Sequence, residues 1–129
     1  MYVDASAMVC ILANEPERKD FLAAIRRSVS CFTSAVSIFE TATSISGLTG
    51  SCASALIEID RFLAEAGIRV APIDENILFE LAIVRDRYGK GSGHPARLNL
   101  GDCFSYAMAK RAGAKLLYKG NDFAQTDLA

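Results

Sequence analysis

Apolar and polar residues follow one another along this chain with spacings that change from those of strands to those of helices. Short apolar runs predict strands at 1–3, 30–33, 68–73 and 115–118. Longer segments, with apolar positions three and four residues apart, predict helices over 4–12, from Pro16 onward, and over 34–48, 53–66, 74–88 and 101–113. Strands that alternate with helices predict an α/β fold, in which a parallel sheet is covered on both faces.

The length and composition predict one folded domain over 1–129. The chain has 129 residues, of which 51% are hydrophobic and 22% are charged, so a disordered protein is excluded. It starts Met-Tyr-Val-Asp, without the pattern of a signal peptide, and it contains no apolar run long enough to span a membrane. Its four cysteines form no C-x-x-C pair, which argues against a zinc site and favours free thiols in a cytoplasmic protein.

The net charge of −1 hides a segregated distribution of charges. Residues 1–84 carry six basic and eleven acidic side chains, whereas 85–119 carry eight basic and two acidic ones. The near-neutral total excludes a domain that binds nucleic acid over its whole surface. The basic stretch could still contact a phosphate backbone or an acidic protein segment.

Four acidic residues have surroundings that differ from those of an ordinary surface charge. Asp4 directly follows the first predicted strand, and Asp122 lies in a Gly-Asn-Asp-Phe turn after the last one. Asp102 opens a largely apolar helix, and Glu40 lies on a helix among small polar neighbours. Simpler roles exist for each of them: an N-cap, a tolerated helix charge or a turn residue. Together, however, they fit one edge of a parallel sheet, where ligands of such folds bind.

A cluster of these acids would require a cation. Two carboxylates about 5 Å apart repel each other by roughly 3 kcal/mol at an effective dielectric constant of about 20. Oxygen ligands without histidine or cysteine select Mg²⁺ or Mn²⁺, and such ions commonly serve phosphoryl chemistry.

Four segments of the chain resemble a PIN domain of the VapC type, the ribonuclease toxin of bacterial type II toxin–antitoxin pairs. They lie at 1–7, 37–41, 88–109 and 116–123, and the resemblance covers nearly the whole chain. It implies a three-layer α/β/α sandwich with a central parallel sheet of four to five strands. It also implies a metal site formed by Asp4, Glu40, Asp102 and Asp122, with Asn121 at a turn position where relatives often carry the fourth acid.

The resemblance further implies the reaction. Asp4 and Asp102 would hold Mg²⁺ or Mn²⁺, and Glu40 and Asp122 would complete the site. Water activated by the metal would hydrolyse an RNA phosphodiester bond and leave a 5′-phosphate and a 3′-hydroxyl.

Basic residues must then hold the RNA, and three candidates are Lys90, Arg97 and Lys119. Ser6 is a fourth, which could hydrogen-bond a carboxylate or a phosphate. Solvated surface charge, or a helix N-terminal serine, is the simpler interpretation of these four residues.

The same resemblance implies partners. The protein would form a homodimer, and a VapB-type antitoxin would bind it and mask the site with its C-terminal segment. Operator DNA would then be bound by the antitoxin rather than by this chain.

Two other functions remain open at this point. A receiver-like phospho-acceptor domain also combines parallel strands, a metal and a late lysine, but it needs paired acids after the first strand, where only Asp4 stands. A catalytically silent interaction domain with the same fold is the second alternative, and the presence of all four acids argues against it.

Overall fold

Four strands and six helices make up the structure, a computed structural model that describes residues 1–129. The strands are β1 (Tyr2–Val3), β2 (Cys31–Thr33), β3 (Ile68–Val70) and β4 (Leu116–Leu117). The helices are α1 (Ala5–Leu12), α2 (Arg18–Arg27), α3 (Ala35–Thr49), α4 (Cys52–Ala66), α5 (Leu78–Tyr88) and α6 (Leu100–Arg111).

All four strands are parallel and lie in the order β3-β2-β1-β4. Successive strand residues point to opposite faces, so Val3 packs with the side chains of α1, α3 and α4, and Tyr2 packs with those of α6. The helices α1–α4 therefore cover one face of the sheet, and α5 and α6 cover the other. This three-layer arrangement with a four-stranded parallel sheet confirms the predicted fold class.

Strand β1 lies at the point where the order of the strands reverses. The chain proceeds from β1 to β2 and β3 on one side, then returns to place β4 on the other side of β1. Tyr2 is paired with Leu116 and Val3 with Leu117, so the carboxyl ends of β1 and β4 are adjacent. Ligands of open parallel sheets bind in the crevice at such a reversal.

Two predicted boundaries differ from the structure. The third strand ends at Val70 instead of residue 73, since Pro72 has no N–H to donate to a neighbouring strand. The helix expected over 74–88 begins with a single 3-10 turn at Glu75–Ile77, which Asp74 caps by accepting a 2.9 Å hydrogen bond from the Asn76 N–H.

The four cysteines are free, and Cys10, Cys31 and Cys103 are buried. None of the helices combines the length and the apolar character that crossing a membrane requires.

Candidate metal centre

A cavity of about 400 Å³ opens at the carboxyl edge of the sheet, beside β1 and β4. All four acids predicted to form a metal site line it: Asp4, Glu40, Asp102 and Asp122. Its other lining residues are Ala5, Ser6, Val9, Glu15, Ser44, Asn99 and Lys119. The lining contains no histidine or cysteine, so the charged ligands available to a cation here are carboxylates.

Asp4 is buried and is held by hydrogen bonds at both carboxylate oxygens. It is the N-cap of α1, where Oδ2 accepts a 2.9 Å bond from the Ser6 N–H and a 2.6 Å bond from the Ser6 hydroxyl. Oδ1 accepts a 2.6 Å bond from the Ser105 hydroxyl, which reaches it from α6. The carboxylate that follows the central strand is thus fixed in orientation by two separate elements.

Asp102 is buried in the first turn of α6, next to the N-cap Asn99. The two residues form a capping box: Asp102 donates its N–H to the Asn99 side chain at 2.8 Å and accepts the Asn99 N–H at 3.0 Å. The pKa of Asp102 is raised to about 6: burial is the main cause, the negative charges of Asp122 and Asp4 act in the same direction, and the Asn99 N–H and Lys90 partly offset them. A cation beside Asp102 would favour its ionised form.

Glu40 lies on the second turn of α3 and is half-buried. Burial, together with the negative charges of Asp4 and Asp102, raises the pKa of its carboxyl to about 7. Gly101 provides the space for this carboxylate, because a Cβ at position 101 would overlap the Glu40 side chain. Glu40 therefore lies against the start of the helix that carries Asp102.

Asp122 is exposed, in the turn after β4, and its charge raises the pKa of Asp102. The neighbouring Asn121 does not line the cavity. Of the two turn positions considered for a fourth ligand, position 122 is the one that faces the other acids.

Lys119 also lines the cavity, but its ammonium group is already paired. It contacts Glu15 and lies 3.0 Å from Glu17, and these two carboxylates raise its pKa. Ligand atoms of Cys10, Glu15 and Glu17 lie within 4.8 Å of one another, closer than those of the four predicted acids. Because the Lys119 ammonium already forms salt bridges with both glutamates, this group is a salt-bridge cluster and not the place where the predicted metal is expected.

The other two basic candidates, Lys90 and Arg97, are exposed on the loop between α5 and α6 and do not line the cavity. Lys90 is near enough to lower the pKa of Asp102. Arg97 has a φ of +50°, an unusual backbone conformation for a residue other than glycine. Neither side chain forms a salt bridge with a carboxylate, and Lys90 is the one whose charge acts on the site.

Three contributors to the site carry only a weak signal in the sequence, or none. Ser105 follows Asp102 by three residues, and only this spacing on one helical face indicates that both approach the same place. Gly101 serves by lacking a side chain, and Glu15 resembles the other charges of a helix terminus. Their roles depend on contacts between distant elements.

Comparisons with known proteins identify the family of this chain. The family model described as the PIN domain matches residues 1–128. Ribonuclease VapC42 of Mycobacterium tuberculosis strain H37Rv is 39% identical over 128 residues, which is 99% of this chain and 96% of the relative. Ribonuclease VapC of Mycolicibacterium smegmatis is 38% identical over 129 residues, or 100% of this chain and 98% of the relative.

A solved structure has the same fold. The crystal structure of Mycobacterium tuberculosis VapC20, described as a sarcin–ricin loop cleaving toxin, aligns with a TM-score of 0.77 over 99% of this chain and 95% of its own. Its sequence identity is 17%, so this likeness bears on the fold alone.

Proposed function

This chain is a VapC-type member of the PIN-domain family, and from this premise we propose that it is a ribonuclease toxin that hydrolyses RNA phosphodiester bonds with the help of Mg²⁺ or Mn²⁺. The observation that carries the proposal is the cavity lined by Asp4, Glu40, Asp102 and Asp122. A receiver-like function has no support, since the family is different and no second acid follows β1.

The residues present fit a hard divalent cation. Carboxylate oxygens are the ligands that Mg²⁺ and Mn²⁺ prefer. Without a cation, burial and mutual repulsion raise the pKa of Glu40 to about 7 and that of Asp102 to about 6. A bound cation would remove this repulsion, and the relief of repulsion between the carboxylates would contribute to the free energy of cation binding. The space at Gly101, which a side chain would fill, keeps the Glu40 carboxylate within the group.

In this proposal Asp4 and Asp102 hold the cation, and Glu40 and Asp122 complete the site directly or through water. When bound, the cation lowers the pKa of a water molecule and stabilises the charge that develops on the phosphate. Ser6 and Ser105 keep the Asp4 carboxylate in place through their hydroxyl groups. The reaction then needs no nucleophilic side chain, and none of cysteine or histidine type lines the cavity.

RNA would be held by positive charge beside the cavity. Lys90 and Arg97 are exposed on the neighbouring loop and have free charges to offer to the phosphate backbone. Lys119 would contribute only if its ammonium left Glu15 and Glu17. Ser6 donates its hydroxyl to Asp4 and accepts the Lys119 N–H at 2.9 Å, so its role toward RNA is indirect.

The proposed partners follow from the family. We propose a VapB-type antitoxin that masks the cavity and itself binds operator DNA, a homodimer of this chain, and a cytoplasmic location.

Exposed apolar residues support protein contacts at two places. Phe39 and Leu100 border a groove next to Glu40, and Leu78, Phe79 and Ile83 are exposed on α5. Such side chains are typical of surfaces that another protein covers.

The deciding experiment expresses the wild-type chain and Asp102→Ala in bacterial cells and maps RNA 5′-phosphate ends. We expect growth arrest and new 5′-phosphate ends with the wild type, and neither with Asp102→Ala. Asp86→Asn removes an exposed carboxylate on α5 that does not line the cavity, and it serves as the control that should behave as wild type. Equal growth and equal RNA ends for the wild type and Asp102→Ala would favour the catalytically silent domain instead.

A further inference from the structure

Buried hydroxyl groups form a continuous line from Ser34, the N-cap of α3, to the Asp4 carboxylate. Ser34 Oγ lies 2.8 Å from the Tyr2 hydroxyl, which lies 2.7 Å from Ser37 Oγ. Ser37 Oγ lies 3.2 Å from Ser105 Oγ, and Ser105 donates to Asp4 Oδ1 at 2.6 Å. All five residues are at least nine-tenths buried. The line connects β1, α3 and α6, and it ends at Asp4, which lines the cavity.

The direction of every bond in this line follows from counting protons. An ionised carboxylate only accepts, so the single proton of Ser105 is committed to Asp4. Ser105 must then accept a hydrogen bond from the Ser37 hydroxyl. Because Ser37 donates its only proton to Ser105, it must accept from the Tyr2 hydroxyl. The Tyr2 hydroxyl has no second proton, so it accepts from Ser34. Every hydroxyl in the line donates toward Asp4, and those of Tyr2, Ser37 and Ser105 each also accept one bond.

The two oxygens of Asp4 are used unequally. Oδ2 accepts two bonds, from the Ser6 N–H and the Ser6 hydroxyl. Oδ1 accepts one bond, from Ser105. Because each carboxylate oxygen has two lone pairs, Oδ2 is saturated, and one lone pair remains on Oδ1. Oδ1 is therefore the oxygen that can bind a cation, and Ser105 is the residue that hydrogen-bonds to it.

We propose that Ser105 is a positioning residue for the metal centre: it fixes Asp4 so that the free lone pair of Oδ1 serves the cation, and the hydroxyl line through Ser37 and Tyr2 fixes Ser105. The inference rests on the proposed function, since it assigns the orientation of one of the proposed ligands. Hydrogen bonds in a buried chain polarise one another, so the line strengthens its last bond. Groups that orient a metal ligand typically change metal affinity or activity by about 10- to 100-fold when removed.

The experiment measures Mn²⁺ binding by isothermal titration calorimetry without RNA, so that the reading does not depend on catalysis. Ser105→Ala should weaken Mn²⁺ binding by about tenfold or more. Thr41→Val is the matched control. It removes a fully buried hydroxyl from α3, one that donates to the Ser37 carbonyl oxygen and not to the line. Both variants should lower the melting temperature of the metal-free protein, but Thr41→Val should keep the Mn²⁺ affinity of the wild type.

Variants further along the line test the mechanism and guard against a Ser105 variant that does not fold. Ser37→Ala leaves the Ser105 hydroxyl in place but removes its donor, so it should weaken Mn²⁺ binding less than Ser105→Ala does. Tyr2→Phe, one link further away, should have the smallest effect on binding. Ser105→Thr retains a hydroxyl and should restore most of the affinity.

The outcomes separate this inference from the proposed function. If the wild type binds Mn²⁺ and Ser105→Ala binds it equally well, the positioning role is wrong and the ribonuclease proposal stands. Equal weakening by Ser105→Ala and Thr41→Val would also overturn it, since the effect would then come from general destabilisation. If the wild type binds no Mn²⁺, both the metal dependence and the positioning role are wrong.

Discussion

Gly101 and the Glu40 carboxylate occupy adjoining space, so that a methyl group on residue 101 would overlap the carboxylate. Gly101 lies in the first turn of α6, and its φ is outside the left-handed region. The glycine is required here by space and not by backbone conformation. One missing side chain on α6 thus determines where a carboxylate on α3 lies.

Gly101→Ala should therefore damage the site without weakening the helix. Alanine is the better helix former by roughly 1 kcal/mol, so a loss of function cannot come from helix propensity. Displacement of Glu40 by about 1 Å should reduce RNA cleavage by about 100-fold. Cleavage of a labelled RNA with Mn²⁺ measures this effect. Gly47→Ala in α3, where a Cβ meets nothing within 4 Å, is the control and should keep full activity.

The stability of the metal-free protein should depend on the protonation of Glu40. Its pKa of about 7 lies above the ordinary value of 4.5, so the folded protein binds the Glu40 proton more tightly than the unfolded chain does. This contribution to stability is complete below the ordinary pKa and is lost as pH rises through about 7. In EDTA, the melting temperature of the wild type should therefore fall over this range relative to that of Glu40→Gln, whose side chain does not titrate.

Added Mn²⁺ should reverse this trend, because the cation binds the deprotonated carboxylates and its stabilising effect grows with pH. Parallel pH profiles for the wild type and Glu40→Gln in EDTA would show that Glu40 keeps an ordinary pKa. Asp102 has a pKa raised to about 6, so its deprotonation should cause a second loss of stability of the metal-free protein at lower pH.

The basic residues beside the cavity should differ in their contribution to RNA binding. Lys90→Ala and Arg97→Ala should each reduce the slope of log affinity against log salt concentration by about 0.7, the value for one phosphate contact with a single strand. Lys119→Ala should change the slope less, because the Lys119 ammonium is paired with Glu15 and Glu17. Fluorescence anisotropy of labelled RNA in EDTA measures all three variants without cleavage. A larger change for Lys119→Ala than for Lys90→Ala would contradict this ranking.

Tyr106 should matter for stability and not for catalysis. It is buried against Tyr88, and its hydroxyl donates to Asp127 at 2.5 Å, which ties the C-terminal segment to α6. Tyr106→Phe removes this bond and should lower the melting temperature, because Asp127 then keeps only its partly exposed contact with Lys110. RNA cleavage at a temperature where both proteins are folded should be unchanged. Loss of cleavage by the folded variant would instead indicate that Tyr106 contacts RNA.

The parts of the fold that depend on local pattern could be predicted from the sequence. Apolar spacing located every strand and helix, and residues that directly follow strands, such as Asp4, were expected at the carboxyl edge of the sheet. The boundary errors have local causes: Pro72 ends β3 early, and the Asp74 cap starts a 3-10 turn before α5.

The contacts that complete the site could not be predicted in the same way, because they join residues far apart in the chain. Ser105 is 101 residues from Asp4, and Lys119 is 104 residues from Glu15. A serine in an apolar helix or a lysine near a strand carries no pattern that identifies its partner. The saturation of Asp4 Oδ2 and the pairing of Lys119 therefore emerge only from the three-dimensional arrangement.

Strand β4 has a consequence for how the cavity behaves over time. It is two residues long, lies at the edge of the sheet and is half-buried, whereas β1, the strand before Asp4, is central and fully buried. Local opening begins where few buried contacts hold the backbone, so the segment with Lys119 and Asp122 should exchange its amide hydrogens before that with Asp4. The side of the cavity formed by Asp4 should therefore be rigid, and the side formed by Lys119 and Asp122 should be mobile. RNA or an inhibitor could enter by displacing the mobile segment while Asp4 keeps its position.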